Sequence, residues 1–336
     1  MIPYGRQSIS DEDVAAVEAV LRSDFLTQGP AVPAFEAAVA GHCGAAHAIA
    51  VNSATSALHI ACLALGVGPG DLVWTSPITF VASANCALYC GAEVDFVDID
   101  GRTFNMSVDA LDAKLTAAEA AGRLPKVVIP VHLAGQSCDM AAIRALGQRY
   151  GFRIIEDASH AVGAEYRDVP VGRCTHSDIA IFSFHPVKIV TTAEGGIALT
   201  NDGELAGKMA LLRTHGITRN PSQMEDESHG PWYYEQVDLG FNYRMTDMQA
   251  ALGSSQMTRL TEFVSRRREI AAAYNDAFAN EPLAVQWQEA DTASSWHLYV
   301  IRLRGADMAR RAEAFAGLRE RGLGVNLHYM PVYLQP

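Results

Sequence analysis

Only four lysines occur in the chain, Lys114, Lys126, Lys188 and Lys208; every other basic side chain is arginine. Lys188 stands apart by its surroundings. The apolar run Ile179 to Phe184 contains no breaker and reads as a buried strand. Pro186 ends such a strand, and Lys188 follows two residues later. A lysine in that position is desolvated, loses proton affinity and becomes a nucleophile toward carbonyl carbon. A second short strand, Arg153 to Ile155, delivers Asp157, with His160 about one turn further on. An acid after a strand serves either as a helix cap or as a functional group. A third, Ala48 to Val51, leads into a helix start rich in small and hydroxyl residues, Ser53, Ala54, Thr55 and Ser56. That start is either an ordinary N-cap or a place where backbone N–H groups receive a phosphate.

Together these residues suit one cofactor. Pyridoxal phosphate requires a lysine amine for its aldehyde, a carboxylate for its pyridine nitrogen, and hydroxyls with backbone N–H groups for its phosphate. Lys188, Asp157, Ser183 and the start at Ala54 and Thr55 match that set, and Phe80 and His160 are placed to cover a ring. No single signal is specific, because a core lysine paired with an acid would read the same way.

The elements that must position these residues alternate. Short apolar strands at 72–76, 93–97, 127–131, 153–155 and 179–184 are separated by helical stretches ending near Leu65, Tyr89, Gly122 and Tyr150. Alternation of this kind predicts an α/β fold with a mostly parallel sheet, whose ligands sit at the carboxyl ends of the strands. Ser10 is expected to cap a helix over 11–21, and the segment 216–234 is expected to be polar and mobile. Thr246 is expected to cap one long helix running to Tyr274, with Gln249, Leu252, Met257, Leu260 and Phe263 inward and Arg266, Arg267 and Arg268 on a solvated face. A boundary near that helix divides the chain into a large domain, 1–245, and a small α/β domain, 246–336, with strands at 296–303 and 325–329 around a helix over 306–321.

Composition narrows the function classes. A chain of 336 residues, 49% of them hydrophobic, can bury sizeable cores. A net charge of −12 argues against non-specific nucleic-acid binding. Neither a membrane span nor a signal peptide is expected, and six cysteines without a Cys-x-x-Cys pair fit reduced thiols in the cytoplasm. His42, Cys43 and His47 match no zinc spacing, so no metal is expected.

The strings Asn52 to Leu58, Glu156 to His160, Phe182 to Lys188, Glu194 to Gly196 and Gly240 to Arg244 occur in the order seen in the DegT/DnrJ/EryC1/StrS sugar-nucleotide aminotransferases, which the chain resembles over most of its length. The resemblance implies a fold-type-I pyridoxal-phosphate enzyme with a seven-stranded-type sheet. It implies Lys188 as the Schiff-base lysine, Asp157 as the pyridinium partner, and Ala54, Thr55 and Ser183 at the phosphate. Phe80 and His160 would flank the ring, and Asn242 would reach the cofactor of the second subunit of a homodimer. Ile2 to Gln7, His215 to Arg219, Trp232 to Gln236, Trp296 to Tyr299 and Asn326 to Tyr329 resemble a narrower subgroup. It aminates C4 of UDP-2-acetamido-2,6-dideoxy-β-L-arabino-hexos-4-ulose in pseudaminic acid biosynthesis, with L-glutamate as donor. Thr27, Gln28, His185, Arg213, His328 and Tyr329 are candidate substrate contacts, with Arg219 and Arg244 as further candidates for a diphosphate. Other UDP-, GDP- or dTDP-keto sugars, or a non-catalytic cofactor-binding role, are the alternatives. Dehydratases of the family carry His where Lys188 stands. Members run some tens of residues past the equivalent of Pro336, so the small domain is expected to be shortened.

Overall fold

The computed structural model describes residues 1–305 and 307–336. In chain order, β1 (Ile2–Pro3), α1 (Asp11–Leu21) and α2 (Ala31–Cys43) lead into an alternating series. It comprises β2 (His47–Val51), α3 (Ala54–Ala64), β3 (Leu72–Thr75), α4 (Ala82–Tyr89), β4 (Glu93–Phe96), α5 (Val108–Ala120), β5 (Val127–Ile129), α6 (Met140–Tyr150) and β6 (Arg153–Asp157). The short strands β7 (Glu165–Tyr166) and β8 (Val169–Pro170) precede β9 (Ile179–Ser183), β10 (Gly196–Thr200) and α7 (Gly203–Leu212). There follow β11 (Ile217–Thr218), β12 (Glu235–Gln236), α8 (Asp247–Met257), α9 (Leu260–Phe278) and β13 (Leu283–Val285). The last elements are β14 (Thr292–Ala293), β15 (Ile301–Leu303), α10 (Met308–Glu320) and β16 (Leu323–Gly324).

A seven-stranded sheet in the order β2-β10-β9-β6-β5-β3-β4 forms the centre. All its neighbours pair in parallel except β10, which runs antiparallel to both β9 and β2. Residues alternate between its faces, as the pleat requires. Ile179 and Ile181 pack with Ile155 and the residues of α3, α4 and α7. Ala180 and Phe182 pack on the opposite face against α2 and α9. The same alternation sends the adjacent acids apart. Asp157 continues the Ile155 side, whereas Glu156 turns to the other face and accepts hydrogen bonds from His132 Nε2 at 2.8 Å and from Ser177 Oγ.

Local chemistry sets the helix ends. Ser10 and Asp13 form a capping box at α1, Thr246 and Gln249 form one at α8, and Ser53 Oγ accepts from Ser56 N at α3. The expected single helix from Thr246 to Tyr274 is in fact two. Thr258 Oγ1 donates to the Ser255 carbonyl at 2.6 Å and the backbone bends at Arg259 before α9 begins. The buried positions of this pair are Asp247, Ala250, Gly253, Gln256, Leu260, Val264 and Ala271. Gln249, Leu252, Met257 and Phe263 are only half-buried.

The C-terminal part differs most from expectation. Residues 296–303 do not form one strand: only β15 does, while Ser295 N and Leu298 N donate to the carbonyls of Gly135 and Ala134. Residues 325–329 form no ladder; β16 pairs instead with β1, in parallel, through Ile2 and Leu323. The helix expected from Ala306 is α10; Ala306 itself lies outside the described residues. Arg267 and Arg268 are not solvated. Arg267 donates to the carbonyls of Trp296 and His297, and Arg268 to those of Ala293 and Ser294. Within the segment 216–234, Ile217 and Thr218 are ordered by pairing with Gln236 and Glu235 of β12.

Candidate active site

The strand ends of β2, β6 and β9 open onto a cavity of about 480 Å³. Ala54 and Thr55 reach it from the first turn of α3, Asp157 from the end of β6, and Ser183, His185 and Lys188 from the end of β9 and the loop after it. Phe80 and His160 complete one wall, and His328 and Tyr329 arrive from beyond β16. Ten expected residues therefore meet in one space. Thr27, Gln28, Arg213 and Asn242 do not line it. Thr27 bridges Thr246, and Arg213 is occupied by Glu36 and the Ala50 carbonyl. Asn242 bridges Thr214 and leaves its side chain exposed.

Each central group has a physical setting. Desolvation in the cavity pushes the Lys188 amine down to about 8, against the opposing pull of Asp157. Asp157 is buried, and its Oδ2 accepts from Ser83 Oγ at 2.5 Å while Oδ1 accepts from Ser159 N at 3.1 Å. The carboxylate is thus fixed in direction by two donors from different elements. His160 is buried, and burial followed by the charges of Lys188 and His328 pushes its pKa well down. Burial also lowers His328 and raises the Tyr329 phenol. Gly196 sits so close to α3 that a Cβ there would lie 2.4 Å from Ala54 N. Only glycine lets β10 approach the helix start whose free N–H groups face the cavity.

Several residues were not expected from sequence. Tyr4 forms wall and packs against His328 in a tilted arrangement, 5.5 Å between centroids. Thr79 and Glu194 also line the space. His297 lines it from the loop after β14 and lies 4.4 Å from the His160 ring. Ser83 sits in an unremarkable Ala-Ser-Ala stretch, and nothing in its neighbours signals a partner seventy-four residues away. Tyr4, Glu194 and His297 belong to strings that carry the family or subgroup resemblance, which is the hint the sequence offered for them.

Known proteins place this architecture. The chain superposes on Spr1654 from Streptococcus pneumoniae in its PMP form with a TM-score of 0.90, 30% identity, and coverage of 100% of this chain and 87% of that one. Helicobacter pylori PseC, an aminotransferase of pseudaminic acid biosynthesis, gives a TM-score of 0.90 and 32% identity, covering 99% and 86% of the two chains. The spore coat polysaccharide biosynthesis protein SpsC of Bacillus subtilis is 40% identical over 338 aligned residues, covering 100% of this chain and 85% of SpsC. Fold and neighbours define a pyridoxal-phosphate-dependent aminotransferase of fold type I. The model of the DegT/DnrJ/EryC1/StrS aminotransferase family matches residues 7–336, and the chain belongs to that family. It is a sugar aminotransferase.

Proposed function

We propose that the protein transfers an amino group from L-glutamate to C4 of a nucleotide-linked 4-keto-6-deoxy sugar. The sugar we put first is UDP-2-acetamido-2,6-dideoxy-β-L-arabino-hexos-4-ulose, giving UDP-4-amino-4,6-dideoxy-N-acetyl-β-L-altrosamine, as in pseudaminic acid biosynthesis. The observation that carries the reading is Lys188 with a lowered pKa and Asp157 held by two donors on one cavity. The likeness to PseC supports the choice of sugar. The higher identity to SpsC favours testing other UDP-, GDP- and dTDP-keto sugars beside it.

The residues fit the cofactor. When bound, pyridoxal phosphate supplies an aldehyde that condenses with amines and a protonated ring that withdraws electrons from the reacting carbon. Asp157 would hold the ring nitrogen, its own direction set by Ser83 and the Ser159 N–H. The N–H groups at Ala54 and Thr55, with Ser183 Oγ, would hold the phosphate, and Phe80 and His160 would cover the ring. Lys188, as a free amine, would serve as base and then acid for the proton moved at the substrate carbon. Its lowered pKa keeps a usable neutral fraction near neutral pH. Glutamate leaves as 2-oxoglutarate, and the keto sugar then leaves carrying the amine. His185, His328 and Tyr329 are our substrate-facing residues. We assign the cofactor-binding part to residues 1–245 and place the reaction in the cytoplasm in a homodimer, with Asn242 facing the partner's cofactor.

Lys188→Ala is expected to abolish turnover while leaving the thermal melt close to wild type. Incubation with glutamate and a panel of keto sugars, with product mass as readout, checks both the activity and the sugar. Full activity in the variant would sink the assignment.

A further inference from the structure

His160 is fixed on both ring nitrogens, and the two bonds have a direction. The Ala134 N–H donates to Nδ1 at 3.3 Å. Nδ1 must therefore carry a lone pair, so the imidazole is neutral with its hydrogen on Nε2. Nε2 lies 3.2 Å from the Tyr329 hydroxyl, which accepts. Ala134 cannot easily yield. Its carbonyl accepts from Leu298 N at 3.2 Å and the neighbouring Gly135 carbonyl from Ser295 N at 3.1 Å. Ser295 Oγ also donates to the His160 carbonyl at 3.1 Å.

The phenol oxygen thus takes one hydrogen and keeps its own. Among the described residues, that O–H has no acceptor apart from His160 Nε2, whose lone pair is already excluded. Tyr329 lines the same cavity as Lys188, between His160 and the Phe80 ring 6.4 Å away. Tyr329 is half-buried, and a hydroxyl hydrogen with no fixed acceptor among its protein neighbours gains from one. The cavity is the direction left to it.

We propose that Tyr329 donates this hydrogen bond to an acceptor oxygen of the substrate held at Lys188, and that His160 is the positioning residue fixing its direction. The proposal rests on the aminotransferase reading. The acceptor is either a carboxylate oxygen of the amino donor or an oxygen of the keto sugar. Both offer the same chemistry, and the two half-reactions separate them.

The test uses purified holoenzyme and its Tyr329→Phe variant. Each is titrated first with L-glutamate alone and then, after amination, with keto sugar alone, following the cofactor spectrum under single-turnover conditions. The variant is expected to load cofactor as wild type does. Its half-saturation concentration should rise roughly ten-fold, the scale of one lost hydrogen bond in a site shielded from water. A rise for glutamate alone assigns the carboxylate, for the sugar alone the sugar oxygen, and for both a shared position. Unchanged values in both half-reactions, or loss of cofactor binding, would overturn the proposal. Independently, ¹⁵N resonances of His160 should report the Nε2-protonated tautomer in wild type and variant alike. An Nδ1-protonated ring would overturn it without any activity measurement. Failure of the aminotransferase reading itself appears separately, as turnover in Lys188→Ala.

Discussion

At the scale of single residues, the pKa of Lys188 makes a pH dependence that can be read before any substrate is added. Burial lowers the amine to about 8, and only its neutral form attacks an aldehyde. The rate at which cofactor-free protein takes up pyridoxal phosphate should therefore rise with pH through a midpoint near 8 and level above it. Stopped-flow absorbance checks this; a midpoint near the ordinary lysine value would remove the desolvation argument. Lys188 and Asp157 were legible in the sequence because each follows a short strand with buried apolar residues, and a strand end is a local feature. Tyr4 and His297 were not, because each reaches the cavity from a segment whose direction depends on long-range packing, and Ser83 was not, because its bond to Asp157 joins two elements far apart in the chain. Arg266 is exposed as its charge suggests, but Arg267 and Arg268 misled for the same reason: clustered charge reads as solvated until carbonyls without partners are brought to it.

At the scale of elements, Asp13 shows how a cap becomes a tertiary lock. Its buried carboxylate accepts from Ser10 N at 2.9 Å, Ser255 Oγ at 2.6 Å, Gln256 Nε2 at 2.6 Å and Arg259 at 2.6 Å. These bonds tie α1 to α8 and to the start of α9. Burial raises its pKa, but the bonds from Ser255, Ser10 and Gln256 outweigh that and hold it below the usual 3.8. A depressed folded pKa gives stability that is full above 3.8 and is lost as pH falls through the lower folded value. Asp13→Ala should cost about 2 kcal/mol at neutral pH, discounted for the partial exposure of Arg259, and should flatten acid unfolding in that range. Chemical denaturation at pH 7 and pH 3 measures both. Ser10 announced the cap in sequence; the three partners of Asp13 beyond residue 250 were not legible, since nothing local points to them.

Across the whole molecule, the sheet and its helices followed from alternation of apolar runs, whereas the C-terminal part did not. There the chain follows the loop after β5 rather than its own periodicity. Gly135 marks the contact: its φ is +108°, and a Cβ would meet Ser295 Oγ at 2.8 Å and Trp296 N at 2.9 Å. Gly135→Ala should cost about 1–3 kcal/mol through backbone strain and displaced neighbours. It should also loosen His160, seen as a lower melting temperature together with broadened His160 resonances. An unchanged melt would show that residues 294–298 adapt. The pairing of β1 with β16 has a different kind of consequence. A polypeptide is made from its amino end, so Tyr4 emerges long before Leu323, the residue that secures Ile2. The wall that Tyr4 forms must wait, unpaired, through nearly the whole of synthesis. A nascent chain halted before residue 323 would have Lys188, Asp157 and the α3 start in place and one side of the cavity still open to water.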